Sequence, residues 1–246
     1  MANPKYRADQ LLVDQGLAES RERAQRLVMA GQVFLEQAGR RERLDKPGHM
    51  LPATAALSLA EPERFVSRGG YKLLSALTHF KLDVAGMTAL DVGASTGGFT
   101  DCLLQHGAAK VYAVDVGKSQ LHEKLRGDQR VVSLEGVNFR LAPADLISEK
   151  VNICVIDVSF ISLTKVLPAV KGFIAPGGVV VALVKPQFEL GPSQTEKGVV
   201  RDEGLRQLAV QMVESAALGL GFTPSGVVPA GVKGPKGNQE YLLLLR

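Results

Sequence analysis

The sequence predicts an α/β fold: an open, mostly parallel sheet whose last strand runs antiparallel, preceded by a small α+β domain. Three observations carry this. From Thr88 onward, short apolar runs alternate with helical patterns, the order that lays strands parallel with helices across the faces. The last two apolar runs, 225–229 and 241–245, are joined by a loop with no room for a crossover helix, so they pair antiparallel. Residues 5 to about 60 follow another pattern, two short helices and then strands.

The chain has 246 residues, 46% of them apolar, enough for one sizeable core and a small second one. Its formal charge of +4 suits a polyanionic partner without requiring one. Cys102 and Cys154 lack CxxC spacing and fall in apolar elements, which reads as buried thiols in a reducing compartment. The four histidines are scattered, so no metal site is expected. With neither an apolar leader nor a membrane-length apolar run, a cytoplasmic protein, off the membrane and monomeric, is expected.

In the first domain, Arg7 to Gln15 reads as a helix with Leu11 and Leu12 inward, closed by Gly16. Ser20 caps a second helix whose Ala24, Leu27 and Val28 share a face, with Gly31 past its end. A strand follows at 32–36, a charged turn at 40–43, a turn at Lys46-Pro47-Gly48 and a strand at 57–59. The expected division is 1–60, a linker at 61–67 around Glu61 and Pro62, and 68–246.

Ser67-Arg68-Gly69-Gly70-Tyr71-Lys72 opens the next helix, which runs through Leu77 and brings Lys72 near a cleft. Strands are expected at 88–92, 110–116, 131–135, 151–157 and 178–185, and helices at about 97–106, 162–174 and 203–220. The polar, glycine-bearing stretch 188–202 reads as a mobile lid or binding loop.

The stretch from Ala89 to Asp101 organises the second domain. It reads as a buried strand, a turn with Gly93, Gly97 and Gly98, and a helix capped by Ser95 or Thr96. Such a turn lets a ligand touch backbone at the carboxyl end of a parallel strand. Asp115 follows about 20 residues on, where a carboxylate meets a ribose diol in nucleotide sites. The dinucleotide fingerprint G-x-G-x-x-G is broken, because Ser95 stands at its second glycine. The reversed last strand also speaks against a dehydrogenase.

The D-x-G-x-x-x-G-G-F pattern from Asp91 to Phe99 resembles the first motif of S-adenosylmethionine-dependent methyltransferases, most closely that of FtsJ-type 2′-O-ribose RNA methyltransferases. A Rossmann-like sheet with one reversed strand is the class I methyltransferase layout. Asp157 in V-I-D-V-S-F, Lys185 in L-V-K-P-Q-F, Glu240 in G-N-Q-E-Y and Lys72 match the Lys-Asp-Lys-Glu tetrad of that family. The chemistry suits these residue types. A ribose 2′-hydroxyl is a poor nucleophile until its proton leaves, and a lysine accepts a proton only as the free amine, which a second cation and partial burial favour. On this reading Lys185 is the general base, Asp157 and Glu240 orient the lysines, and Lys72 tunes Lys185 and holds the ribose. Phe160 and Phe188 either stack on a flipped base or pack in the core. Carbon-5 methylation would need a cysteine at a strand end, and Cys154 lies inside its strand. N-methylation would favour an Asn/Asp-Pro-Pro-aromatic turn, which Asp157-Val158-Ser159-Phe160 is not.

The run R-x-x-A-x-x-L-V-x-x-G-x-V from Arg21 to Val33 resembles the S4 RNA-binding domain. That resemblance implies RNA contacts by Arg7, Arg21, Arg23 and Arg26, with Arg68 added from the second domain. The whole chain, with V-S-R-G-G-x-K-L, D-V-G-A-S-T-G-G-F-T-D, L-V-K-P-Q-F and G-P-K-G-N-x-E-Y, resembles the TlyA family, whose members carry the names haemolysin A and rRNA (cytidine-2′-O)-methyltransferase. The resemblance implies S-adenosylmethionine as cofactor and cytidine in ribosomal RNA, within the subunit, as substrate. It implies cofactor contacts by Asp91, Gly93, Ser95, Thr96, Gly97, Gly98, Phe99, Asp115, Val116, Asn138 and Asp157. A chain stopping at Arg246 is the short form, associated with the large-subunit 23S RNA rather than 16S. Phe65 stands where some members carry a linker aromatic. The alternatives are a membrane-lytic haemolysin, which the absence of a span or a basic amphipathic helix disfavours, and a silent ribosome assembly factor, which the intact tetrad disfavours.

Overall fold

The computed structural model describes residues 4–37, 39–60, 63–234 and 236–246. Positions 61 and 62 of the expected linker lie outside the described residues. The chain divides into two compact units, residues 1–63 and 64–246.

The first unit runs β1 (Lys5–Arg7), α1 (Ala8–Asp14), α2 (Arg21–Met29), β2 (Val33–Gln37), β3 (Arg40–Arg43), β4 (Met50–Pro52) and β5 (Ala56–Leu59). Ser20 caps α2 by accepting the Arg23 N–H at 3.2 Å. Gly16 and Gly31 follow the helices at positive φ. Leu11, Leu12, Ala24, Leu27, Val28 and Val33 are buried together. Residues 40–43 form a strand, not the expected turn, paired antiparallel with β2. All four side chains of β3 are exposed, so it carries no alternation for a pattern to reveal. The three-residue strands β1 and β4, which pair with each other, are too short to leave a period.

The second unit opens with α3 (Gly69–Phe80), then β6 (Thr88–Val92), α4 (Gly98–Gln105), β7 (Lys110–Asp115), α5 (Glu123–Arg126), β8 (Val131–Glu135), β9 (Val151–Ile156) and α6 (Leu167–Lys171). It continues with β10 (Ile174–Val184), α7 (Pro186–Glu189), α8 (Glu203–Gly219), β11 (Pro224–Pro229) and β12 (Tyr241–Leu245). Among the described residues these strands form one seven-stranded sheet, ordered β11-β12-β10-β9-β6-β7-β8. Strands β10, β9, β6, β7 and β8 are parallel neighbours. The last strand of the chain, β12, is antiparallel to both β10 and β11 and lies between them.

Both faces of the sheet are covered, which is why its central strands read as unbroken apolar runs. Along β10, Val181 and Leu183 pack with Leu73 of α3 and Phe99 and Leu103 of α4. The alternate residues Val180, Ala182 and Val184 pack with Leu167 of α6 and Val213 of α8 on the other face. The helix expected at 162–174 is reduced to a 3₁₀ turn at 163–165 and the short α6. The stretch 188–202, expected to be mobile, carries its own apolar cluster: Leu190 and Val200 pack with Leu205 and Ala209 of α8.

Register decides what meets at the sheet's ligand edge. Ile156 of β9 stands between Val92 of β6 and Ala182 of β10, paired with each. Val184 at the end of β10 faces Tyr241 at the start of the reversed β12. The residue after β10 and the residue before β12 therefore emerge side by side. Those residues are Lys185 and Glu240.

Candidate active site

The turn after β6 is built from backbone. The N–H groups of Gly93 and Ala94 both reach the Val114 carbonyl, at 2.8 and 3.1 Å. Ser95 takes a left-handed φ of 48° and donates its N–H to Asp115 Oδ2 at 2.8 Å. Asp115 Oδ1 accepts the Gly117 N–H at 2.7 Å. The expected side-chain cap from Ser95 or Thr96 does not form. The cap residue is Gly97, at φ 97° and with no side-chain bond. A Cβ there would stand 2.2 Å from Leu125 Cδ1, so a side chain would force leucines to shift on top of the strain of the left-handed φ.

Asp91 lies fully buried beneath the turn. Its Oδ2 accepts the Thr100 hydroxyl at 2.6 Å, and its Oδ1 has no partner among the described residues. Burial pushes its carboxyl up to about 7.

Two adjoining cavities open along the strand ends. The larger, about 650 Å³, has Ser95, Thr96, Gly98 and Phe99 on its lining together with Lys72, Asp157, Lys185 and Glu240. The smaller, about 470 Å³, is lined by Asp115, Val116, Asn138 and Phe139. Gly93, Ser95, Asp157, Ser159 and Phe160 line both. Of the expected cofactor residues, Asp91 and Gly97 stand behind the lining; the rest face one cavity or the other. A turn with exposed backbone at Ser95 and a second cavity beside Asp115 and Asn138 fit a polar nucleoside cofactor.

The four expected catalytic residues reach the larger cavity as two ion pairs. Lys72 Nζ lies 2.6 Å from Glu240 Oε2, with side chains 10% and 1% exposed. Lys185 Nζ lies 2.5 Å from Asp157 Oδ1, with side chains 9% and 21% exposed. Lys185 also donates to Ser159 Oγ at 2.8 Å. Beside it, Phe160 holds a left-handed φ of 64° and is 92% exposed, its ring centre 5.1 Å from that of Phe188. Holding an aromatic residue in that region costs roughly 1–3 kcal/mol, which the surrounding loop must offset.

Sequence reasoning missed several supports. Buried Glu189 accepts from Ser162 Oγ at 2.5 Å and Leu163 N at 3.0 Å, tying α7 to the loop after β9; burial pushes its carboxyl up. In the first unit, fully buried Asp9 holds Arg7 in a two-bond fork at 3.0 and 2.9 Å and also reaches Arg21 at 3.4 Å. Arg7 keeps that carboxyl well below the usual range. Most partners of these two acids are distant in sequence and become visible only in the fold. Of the remaining expected RNA-binding residues, Arg26 pairs with Glu22 at 3.1 Å, Arg23 is exposed, and Arg68 lines the larger cavity. Phe65 is buried in the second unit, edge-on to Tyr71 at 5.1 Å.

Strand order, the reversed β12 and the glycine turn over linked cavities define a Rossmann-like methyltransferase fold. The chain belongs to the FtsJ-like methyltransferase family, whose model matches residues 65–246. It is 46% identical to the 16S/23S rRNA (cytidine-2′-O)-methyltransferase TlyA of Mycobacterium tuberculosis, covering 98% of this chain and 90% of that one. It is 39% identical to Hemolysin A of Brachyspira hyodysenteriae, over 96% and 98% of the two chains. A solved structure from Streptococcus thermophilus with a provisional hemolysin name is 48% identical, with a TM-score of 0.74 over 99% of this chain and 89% of that one.

Proposed function

We propose that this protein is a ribosomal RNA methyltransferase that methylates the ribose 2′-oxygen of a cytidine, with large-subunit RNA as the preferred substrate. The observation that carries the reading is the convergence of Lys72, Asp157, Lys185 and Glu240, from four separate segments, on one cavity beside the glycine turn. Relatives support the substrate class: beside the mycobacterial protein stands a 23S rRNA (cytidine-2′-O)-methyltransferase of Campylobacter jejuni, 33% identical over 85% of this chain and 81% of that one. Among the described residues no helix is long and apolar enough to cross a membrane.

S-adenosylmethionine is the cofactor, and when bound it supplies a methyl group activated by its sulfonium. Gly93, Ser95, Thr96, Gly98 and Phe99 would hold its amino-acid end, and Asp115, Val116 and Asn138 its nucleoside. Lys185 first gives a proton of its ion-paired ammonium to solvent and then, as the free amine, takes the proton from the ribose 2′-hydroxyl as general base. Asp157 and Ser159 fix the Lys185 amine from two directions. The buried Lys72–Glu240 pair closes the adjoining wall and holds the ribose. Most of the acceleration comes from this alignment. Phe160, exposed beside Phe188, is the stacking surface for the target base. The first unit is the S4-like RNA-binding domain, with Arg7 and Arg21 presented by Asp9.

The test supplies purified protein with labelled cofactor and ribosomal subunits that lack the modification. The expected product is label in a nuclease-resistant, 2′-O-methylated cytidine. Label on a base would overturn the ribose assignment, and label on no RNA would overturn the substrate class.

A further inference from the structure

The loop from β11 to β12, residues 230–240, does more than deliver Glu240. Lys233 and Lys236 are exposed and line the larger cavity. Among the described residues neither takes part in an ion pair. Together with Arg68, Lys72 and Lys185 they set five cations on the lining against two carboxylates, Asp157 and Glu240, a surplus of three (5 − 2). Both carboxylates are already engaged by Lys72 and Lys185. The cofactor does not call for this surplus, because it carries a sulfonium and an ammonium against a single carboxylate. A polyanion does.

The loop is shaped to hold these lysines in place. A Cβ at Gly234 would stand 2.5 Å from Glu240 Oε1, so the chain wraps directly over the carboxylate between the two lysines. The Gly234 N–H reaches the Asn238 carbonyl at 2.9 Å, and the Gly237 N–H reaches Gly234 O at 2.8 Å. The Asn238 side chain is buried and spends both ends on the neighbouring loop: Oδ1 accepts the Val200 N–H at 3.0 Å, and Nδ2 donates to Gly198 O at 2.9 Å. Gly198 in turn backs Lys236, whose Nζ would lie 3.4 Å from a Cβ there.

We propose that Lys233 and Lys236 form a phosphate site for the RNA strand beside the target ribose, and that Asn238 is the positioning residue that staples the 198–200 and 230–240 loops into its wall. The proposal rests on the RNA-methyltransferase reading above and adds the contact that grips the substrate backbone. Lysines placed this way neutralise phosphate charge without reading a base.

The experiment measures binding of the full-length protein to unmodified ribosomal subunits over a salt series, with cofactor affinity measured in parallel. The Lys233→Ala/Lys236→Ala double variant is expected to bind RNA about tenfold more weakly, and its log-affinity against log-salt slope should fall by roughly 1.4, about 0.7 per lost single-strand phosphate contact. Cofactor affinity stays unchanged, and Lys233→Arg/Lys236→Arg restores the slope. Asn238→Ala raises KM for RNA more than it lowers kcat. A double variant with wild-type slope and KM, in a preparation whose wild type methylates normally, overturns the phosphate site alone. An equal loss of cofactor affinity overturns it too, since the lysines would then be shaping the cavity as a whole. A wild type that methylates no RNA defeats the underlying reading instead.

Discussion

The two halves of the site are made of different materials. The glycine-turn half is backbone: Gly93, Ser95 and Gly97 at positive φ, with one carboxylate, Asp115, fixed by two N–H groups. The tetrad half is side chain: two lysines, each locked to a carboxylate, brought together from α3, the residues just after β9 and β10, and the loop before β12. The first half is contiguous and local, and strand register assembles the second. The halves touch at Gly93, where a Cβ would stand 2.5 Å from the carbonyl oxygen of Asp157. They meet again where α3 packs on the turn: a Cβ at Gly98 would stand 2.9 Å from Gly70 N, at the start of the helix that carries Lys72.

The largest expected effect on stability comes from the tetrad half. Glu240→Ala strands the buried Lys72 ammonium, and unpairing a buried ion costs about 3–5 kcal/mol. Urea unfolding measures it; a loss under about 1 kcal/mol would mean the pair is solvated. Next is Asp91 in the turn half. Its folded carboxyl is raised from 3.8 to about 7, so the folded state binds the extra proton. Its contribution is fully present below about pH 4 and is lost as pH rises toward 7, by roughly 4 kcal/mol at about 1.4 kcal/mol per unit. Asp91→Asn should flatten stability across that window, as thermal melts at pH 4, 5.5 and 7 would record. A slope identical to wild type would contradict the assignment.

Gly93→Ala tests the junction. The left-handed φ alone costs about 1–2 kcal/mol with a side chain, and the clash displaces Asp157. Cofactor affinity and transfer rate are expected to fall together, the rate by up to about a hundredfold. A variant that loses only one of them would separate the halves. The smallest effect belongs to Ser159→Ala, which removes one hydrogen bond to Lys185 and costs about 1 kcal/mol, near fivefold in rate, with cofactor binding intact.

This contrast also explains what was legible beforehand. The turn was readable because Asp91, its glycines and Asp115 are close in sequence and each residue type answers to a backbone need. Strands β6, β8 and β12 fall at their expected bounds because apolar runs mark them. The tetrad was named only through family resemblance, since a lone lysine or acid has no local signature. Ser159, Glu189, Asn238 and Asp9 went unnoticed for the same reason: most of their partners lie 12 to 40 residues away. Strand β3 was missed because an all-charged strand has no hydrophobic period.

The most direct test of the central claim is a single-turnover comparison of wild type and Lys185→Ala on unmodified ribosomal subunits, with cofactor affinity measured alongside. A general base predicts a rate loss of about 10²–10⁴-fold with cofactor affinity unchanged. A variant within a few fold of wild type would show that Lys185 does not take the proton, and the tetrad reading would fall with it.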